Sequence, residues 1–136
     1  MIRRAAKVSM IDYVMEEDYQ KIGKGIEKLF GPYPITSSIV EIEGLLPTKT
    51  IINDVYHKNG VTICVEEKHI TENRDRVEWN FAKINFYVES DLSPIDRIVG
   101  KILDLDWNNF EVDYNYDFKK QSKKFYLKRY APLTIK

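Results

Sequence analysis

Side chains able to do acid–base or ligand chemistry are thinly spread along this sequence. The densest ionisable run is Glu66-Glu67-Lys68-His69. General acid–base work needs a carboxylate or imidazole held away from water beside a partner. Strand alternation turns Glu67 and His69 to one face and Glu66 and Lys68 to the other. A solvated edge strand accounts for that pattern without catalysis. Asp12 with Tyr13 and the run Glu16-Glu17-Asp18 form a second acidic group. That run falls in the first turn of a predicted helix, where acids oppose the helix dipole favourably.

Metal and nucleophile patterns are thinner still. His57 and His69 are the two histidines, and neither has the His-x-x-x-His or Cys-x-x-Cys spacing of a zinc site. Asp104 and Asp106 offer oxygens to a hard cation, yet read as solvated acids at a helix exit. Gly23-Lys24-Gly25 lies inside a predicted helix, away from the strand-to-helix turn that a phosphate loop requires. No Gly-x-Ser-x-Gly, His-Glu-x-x-His or Walker-type sequence occurs. The expectation is a non-enzymatic protein with neither cofactor nor metal.

Charge is distributed unevenly. Residues 119–136 carry seven bases (Lys119, Lys120, Lys123, Lys124, Lys128, Arg129 and Lys136) and no acid. The whole chain has 21 bases and 21 acids, so the preceding 118 residues hold 14 bases against 21 acids. Phe125, Tyr126 and Tyr130 accompany the cations. Lysines on a loop can meet phosphates, and tyrosine rings can stack on bases. The expected anion-binding surface is Lys119, Lys120, Lys123, Lys124, Tyr126, Lys128, Arg129 and Tyr130, facing nucleic acid or another anionic partner. Two alternatives stand beside it. One is a protein–protein adaptor docking on an acidic protein surface, or a homodimer joined at open sheet edges. The other is a small-ligand domain or enzyme with a pocket between helices and sheet, marked by a perturbed carboxylate or His57.

A chain of 136 residues with 43% apolar and 31% charged residues suits one soluble domain, residues 1–136. No apolar run approaches the ~20 residues that span a bilayer. Asp12 interrupts the apolar stretch after the basic start, so the expectation is a cytoplasmic chain with no membrane contact. Cys64 is the single cysteine, inside a strand-like segment, and reads as a buried thiol in a reducing compartment.

The elements that position these residues follow from periodicity. Residues 7–15 predict a first strand. Residues 16–30 place Tyr19, Ile22, Ile26, Leu29 and Phe30 at helical spacing, with Gly31-Pro32 as the stop. Close packing of this helix on a sheet explains Gly23. A second strand covers 37–42. Residues 50–56 and 61–68 flank Asn59-Gly60, a hairpin signal. A two-residue turn sets Tyr56 opposite Ile63, whereas a three-residue loop sets Val55 opposite Ile63. The second is preferred, because the first puts Asp54 opposite Val65. Residues 71–76 read as a polar turn. Over 77–88, Val77, Trp79 and Phe81 share one face and Ile84, Phe86 and Val88 the other parity. A β-bulge near Ala82-Lys83 would bring all six into one core.

Ser93-Pro94-Ile95-Asp96 predicts a capped helix running to about residue 105. Residues 110–118 alternate as a half-buried strand, and 125–130 return beside it, pairing Phe118 with Phe125. The order β-α-β-β-β-β-α-β-β implies an α+β two-layer sandwich. Its sheet is mainly antiparallel, of about six or seven strands, with two helices on one face. The strand-helix-four-strand-helix portion is similar in element order to half of a TATA-binding-protein saddle, although no motif of that family accompanies it.

Overall fold

The computed structural model describes residues 4–42, 48–90 and 94–114. Strands β1 (Ala5–Met10) and β2 (Val14–Met15) precede helix α1 (Glu16–Phe30). A meander follows: β3 (Thr36–Ile42), β4 (Thr48–Lys58), β5 (Val61–Arg74) and β6 (Val77–Ser90). Helix α2 (Asp96–Leu103), a 3-10 turn (Trp107–Asn109) and β7 (Phe110–Asp113) complete the described chain. The sheet is antiparallel and seven-stranded, in the order β3-β4-β5-β6-β1-β7, with β2 also paired to β6. Both helices bury their apolar stripes in one core against the same face. This is the two-layer α+β sandwich that the periodicities imply.

Phe86, Ile84, Val88, Val8, Ile63 and Val65 form the centre of that core, on adjacent strands and almost without solvent contact. Phe110 meets Phe86 edge-on with centroids 5.8 Å apart, and Phe30 stacks on Tyr56 at 5.4 Å. Tyr19, Ile22 and Ile26 of α1 and Val99 and Ile102 of α2 close it from above.

The first strand is split. Ser9 pairs with Asn85 and Val14 with Ala82, so four intervening residues face two. Asn109 accommodates the excess. Its carbonyl accepts from Ile11 N–H at 2.8 Å, its side-chain Oδ1 accepts from Asp12 N–H at 3.0 Å, and its Nδ2 donates to the Asp12 carbonyl at 3.3 Å.

Three local expectations about the β-meander are corrected. The β4–β5 hairpin uses the two-residue turn: Tyr56 lies opposite Ile63 and Asp54 opposite Val65. Asn59 and Gly60 have φ of 52° and 79°, the left-handed pair that a tight hairpin turn requires. The segment 71–76 is mostly strand, and its turn is reduced to Asp75-Arg76, with φ of 52° and 66°. No bulge interrupts β6, whose pairing with β5 runs unbroken from Val61–Ser90 to Arg74–Val77. Val77 and Trp79 therefore lie on the face away from the helices, 50% and 38% exposed.

Helix α2 starts at Asp96, with Ile95 in the cap position and Val99 N–H bonded to its carbonyl. Ser93 lies outside the described residues. The close approach on α1 falls at Gly25 instead of Gly23. A Cβ at Gly25 would meet Leu105 Cδ2 at 2.5 Å, whereas one at Gly23 would meet only Tyr19 Cε1, at an ordinary 3.7 Å. No described helix is long and apolar enough to cross a membrane.

Candidate functional site

The hairpin register places polar side chains where an apolar sheet face would otherwise continue under α1. Residues that pair across strands share a face. Asp54 thus joins Tyr56, Val65 and Ile63 on the helix-facing side, and Glu67 joins Ile84. One row further, His69 faces Ala82, with Thr71 opposite Asn80. The face is apolar at one end and ionisable at the other.

A cavity of about 180 Å³ opens where α1 bridges this polar end. Gly23, Ile26 and Glu27 of α1, the following Gly31-Pro32, and Asp54, Tyr56, Val65 and Glu67 of the sheet line it. Gly23 brings no side chain to the wall. Gly31 ends the helix with φ of 92°, its N–H bonded to the Glu27 carbonyl at 2.8 Å, and turns the chain around the opening.

The carboxyls are perturbed. Burial pushes the Asp54 carboxyl above its ordinary value, and a hydrogen bond from the Ser37 hydroxyl pulls it partly back. Burial also raises Glu67; His69 opposes that shift and Glu16 adds to it. Tyr56 is raised by burial, then by the charges of Asp54 and Glu27. Among the described residues, no base lines the cavity.

Behind Glu67 stands a His–carboxylate cluster. His69 Nδ1 lies 3.0 Å from Glu16 Oε2, and its Nε2 lies 3.9 Å from Glu67 Oε1, beyond hydrogen-bond range. An ionised Glu16 can only accept, so Nδ1 carries the proton in that pair. The Tyr19 and His69 rings meet edge-on at 5.1 Å. Tyr19 Oη and His69 Nε2 are both buried without a hydrogen-bond partner among the described residues.

This cluster corrects the reading of Glu66-Glu67-Lys68-His69 as a solvated edge. Strand β5 is internal, between β4 and β6, and α1 covers its Glu67–His69 side. Two features lay in the sequence as signals: the Asn-Gly turn and the alternation of Glu67 with His69. His57 is exposed, with Nδ1 3.1 Å from Thr62 Oγ1, and takes no part in the cavity. Cys64 is buried on the face opposite the helices. Among the described residues, no three His, Cys, Asp or Glu side chains are grouped to hold a metal. The anion-binding residues expected from sequence, Lys119, Lys120, Lys123, Lys124, Tyr126, Lys128, Arg129 and Tyr130, lie outside the described residues, as do the end of the expected strand 110–118 beyond residue 114 and the returning strand 125–130.

No protein-family model matches this chain, and no curated protein is significantly similar to it.

Proposed function

We propose that the protein is a small-ligand-binding domain, taking a compact organic cation in the cavity between α1 and strands β4 and β5. One observation carries this reading: two carboxyls kept partly from water face an opening with no base among its described lining residues, and only Glu67 has a basic neighbour, His69, behind it. Burying a carboxylate is costly unless a positive group meets it. An ammonium ligand supplies that group. The small volume, below the ~300 Å³ typical of drug-sized ligands, favours a few-carbon amine. Cytoplasmic placement belongs to the same reading and is supported by a lone cysteine held in the interior.

The test is an amide NMR titration of the full chain with n-propylammonium, using n-propanol as the neutral control. Saturable shifts at Gly23, Gly31, Asp54, Tyr56 and Glu67 are expected with the amine alone. Equal response to the alcohol, or an unchanged response in an Asp54→Asn/Glu67→Gln double variant, would overturn the reading.

A second reading, homodimerisation, is favoured by β3. Among the described strands it is an edge, and Ile39, Val40 and Ile42 are 65%, 40% and 50% exposed. Exposed apolar edges are templates for strand addition. The pairing is tested by sedimentation equilibrium: a dimer abolished by Val40→Lys supports it, and a monomer at all concentrations removes it.

A further inference from the structure

A second opening has a lining opposite in charge to that of the first. It holds about 270 Å³ between the β4–β5 turn and α2, with Lys58, Asn59, Arg97 and Lys101 contributing polar groups and Val61 and Ile98 apolar ones. No acid lines it. Arg97 and Lys101 are four residues apart on α2, hence on one side of the helix. Neither forms a salt bridge with a described residue. Lys58 is held differently: its Nζ donates to the Leu29 carbonyl at 2.5 Å, near the end of α1. That bond fixes the ammonium and leaves two of its three donors uncommitted to this carbonyl.

Three cations converging on one cleft repel each other, and an anion between them relieves that repulsion. Arginine offers a planar fork suited to two phosphate oxygens, while the lysines act as point charges. We infer that this cleft is a binding site for a small organic phosphate monoester. The phosphate sits among Lys58, Arg97 and Lys101, and its organic part lies on Val61 and Ile98. The Asn59 amide adds a donor at the rim. This site goes beyond the proposed amine pocket and does not depend on it.

The experiment is an amide NMR titration of the full chain with phenyl phosphate, and separately with inorganic phosphate. Saturable shifts are expected over residues 58–61 and 96–101, with phenyl phosphate binding more tightly. Arg97→Gln and Lys101→Gln should each weaken binding about tenfold, since each removes a charge-assisted contact. Both residues are exposed on the helix, so the variant spectra should otherwise match the wild type. Binding should also weaken as salt is raised from 0.05 to 0.5 M, because the cleft is open to screening. Shifts elsewhere, including over 119–130, would overturn the assignment. So would undiminished binding in the double variant. Equal affinity for the two probes would show that Val61 and Ile98 contribute nothing and would overturn the monoester class.

Discussion

Asp54 stands directly opposite Val65 on the helix-facing side of the β4–β5 ladder. A carboxyl is thereby held in a position that strand alternation reserves for the core. Its pKa lies above the ordinary 3.8 because burial disfavours the charged form. Between 3.8 and the raised folded value, the folded chain keeps a proton that the unfolded chain releases. Stability from this group is therefore full below 3.8 and is lost as pH rises through the folded value. Asp54→Asn retains a partner for the Ser37 hydroxyl and removes the charge. The urea midpoint of the variant should exceed that of the wild type at pH 7 and equal it at pH 3. A lower midpoint at pH 7 would mean that the ionised form is the stabilising one.

Glu67 follows the same sign from its ordinary 4.5, but with an opposing neighbour. His69 lowers its pKa while burial and Glu16 raise it. Replacing the imidazole by an uncharged ring of similar shape, His69→Phe, removes the opposing influence. The Glu67 carboxyl, followed by carbon-detected NMR across pH 3–8, should titrate at a higher pH in the variant. An unchanged titration would show that the 3.9 Å contact with Nε2 carries no electrostatic weight.

The two-layer fold, α1 and the meander were legible in the sequence because periodicity and the Asn59-Gly60 turn are local signals. The site was less legible, and for one reason. Choosing a register by matching Val61, Ile63 and Val65 to Ile51 and Val55 assumes that every helix-facing position is apolar. The structure breaks that assumption at Asp54, Glu67 and His69, and those three residues form the pocket and its back wall. A rule that rejects buried polar residues rejects functional sites along with errors. The basic cleft was hidden differently: Lys58 is some forty residues from Arg97, and only the docking of α2 beside the hairpin turn unites them.

Gly23 links pocket shape to helix stability. Ala is favoured over Gly in a helix interior by about 1 kcal/mol, and the added methyl would meet Tyr19 at an ordinary contact distance of 3.7 Å. Gly23→Ala should therefore raise the urea-derived stability by up to about 1 kcal/mol. The same methyl projects from a wall of the 180 Å³ cavity, so n-propylammonium affinity should fall. A stabilised variant with undiminished affinity would show that the amine sits elsewhere.

The unbroken register of β6 makes a sharp contrast along one strand. Phe86 has no solvent contact and lies between Phe30, at 6.5 Å, and Phe110, at 5.8 Å. Phe86→Ala should cost about 3–5 kcal/mol, through lost burial and the cavity left between those rings. Val77, at the start of the same strand, is 50% exposed on the opposite face. Had a bulge restored it to the core, Val77→Thr would bury an unsatisfied hydroxyl at a cost of about 1–3 kcal/mol. With continuous pairing the hydroxyl meets water, and the change should stay within about 0.5 kcal/mol. Equilibrium urea unfolding of the two variants distinguishes the registers, and a large loss from Val77→Thr would return the bulge to β6.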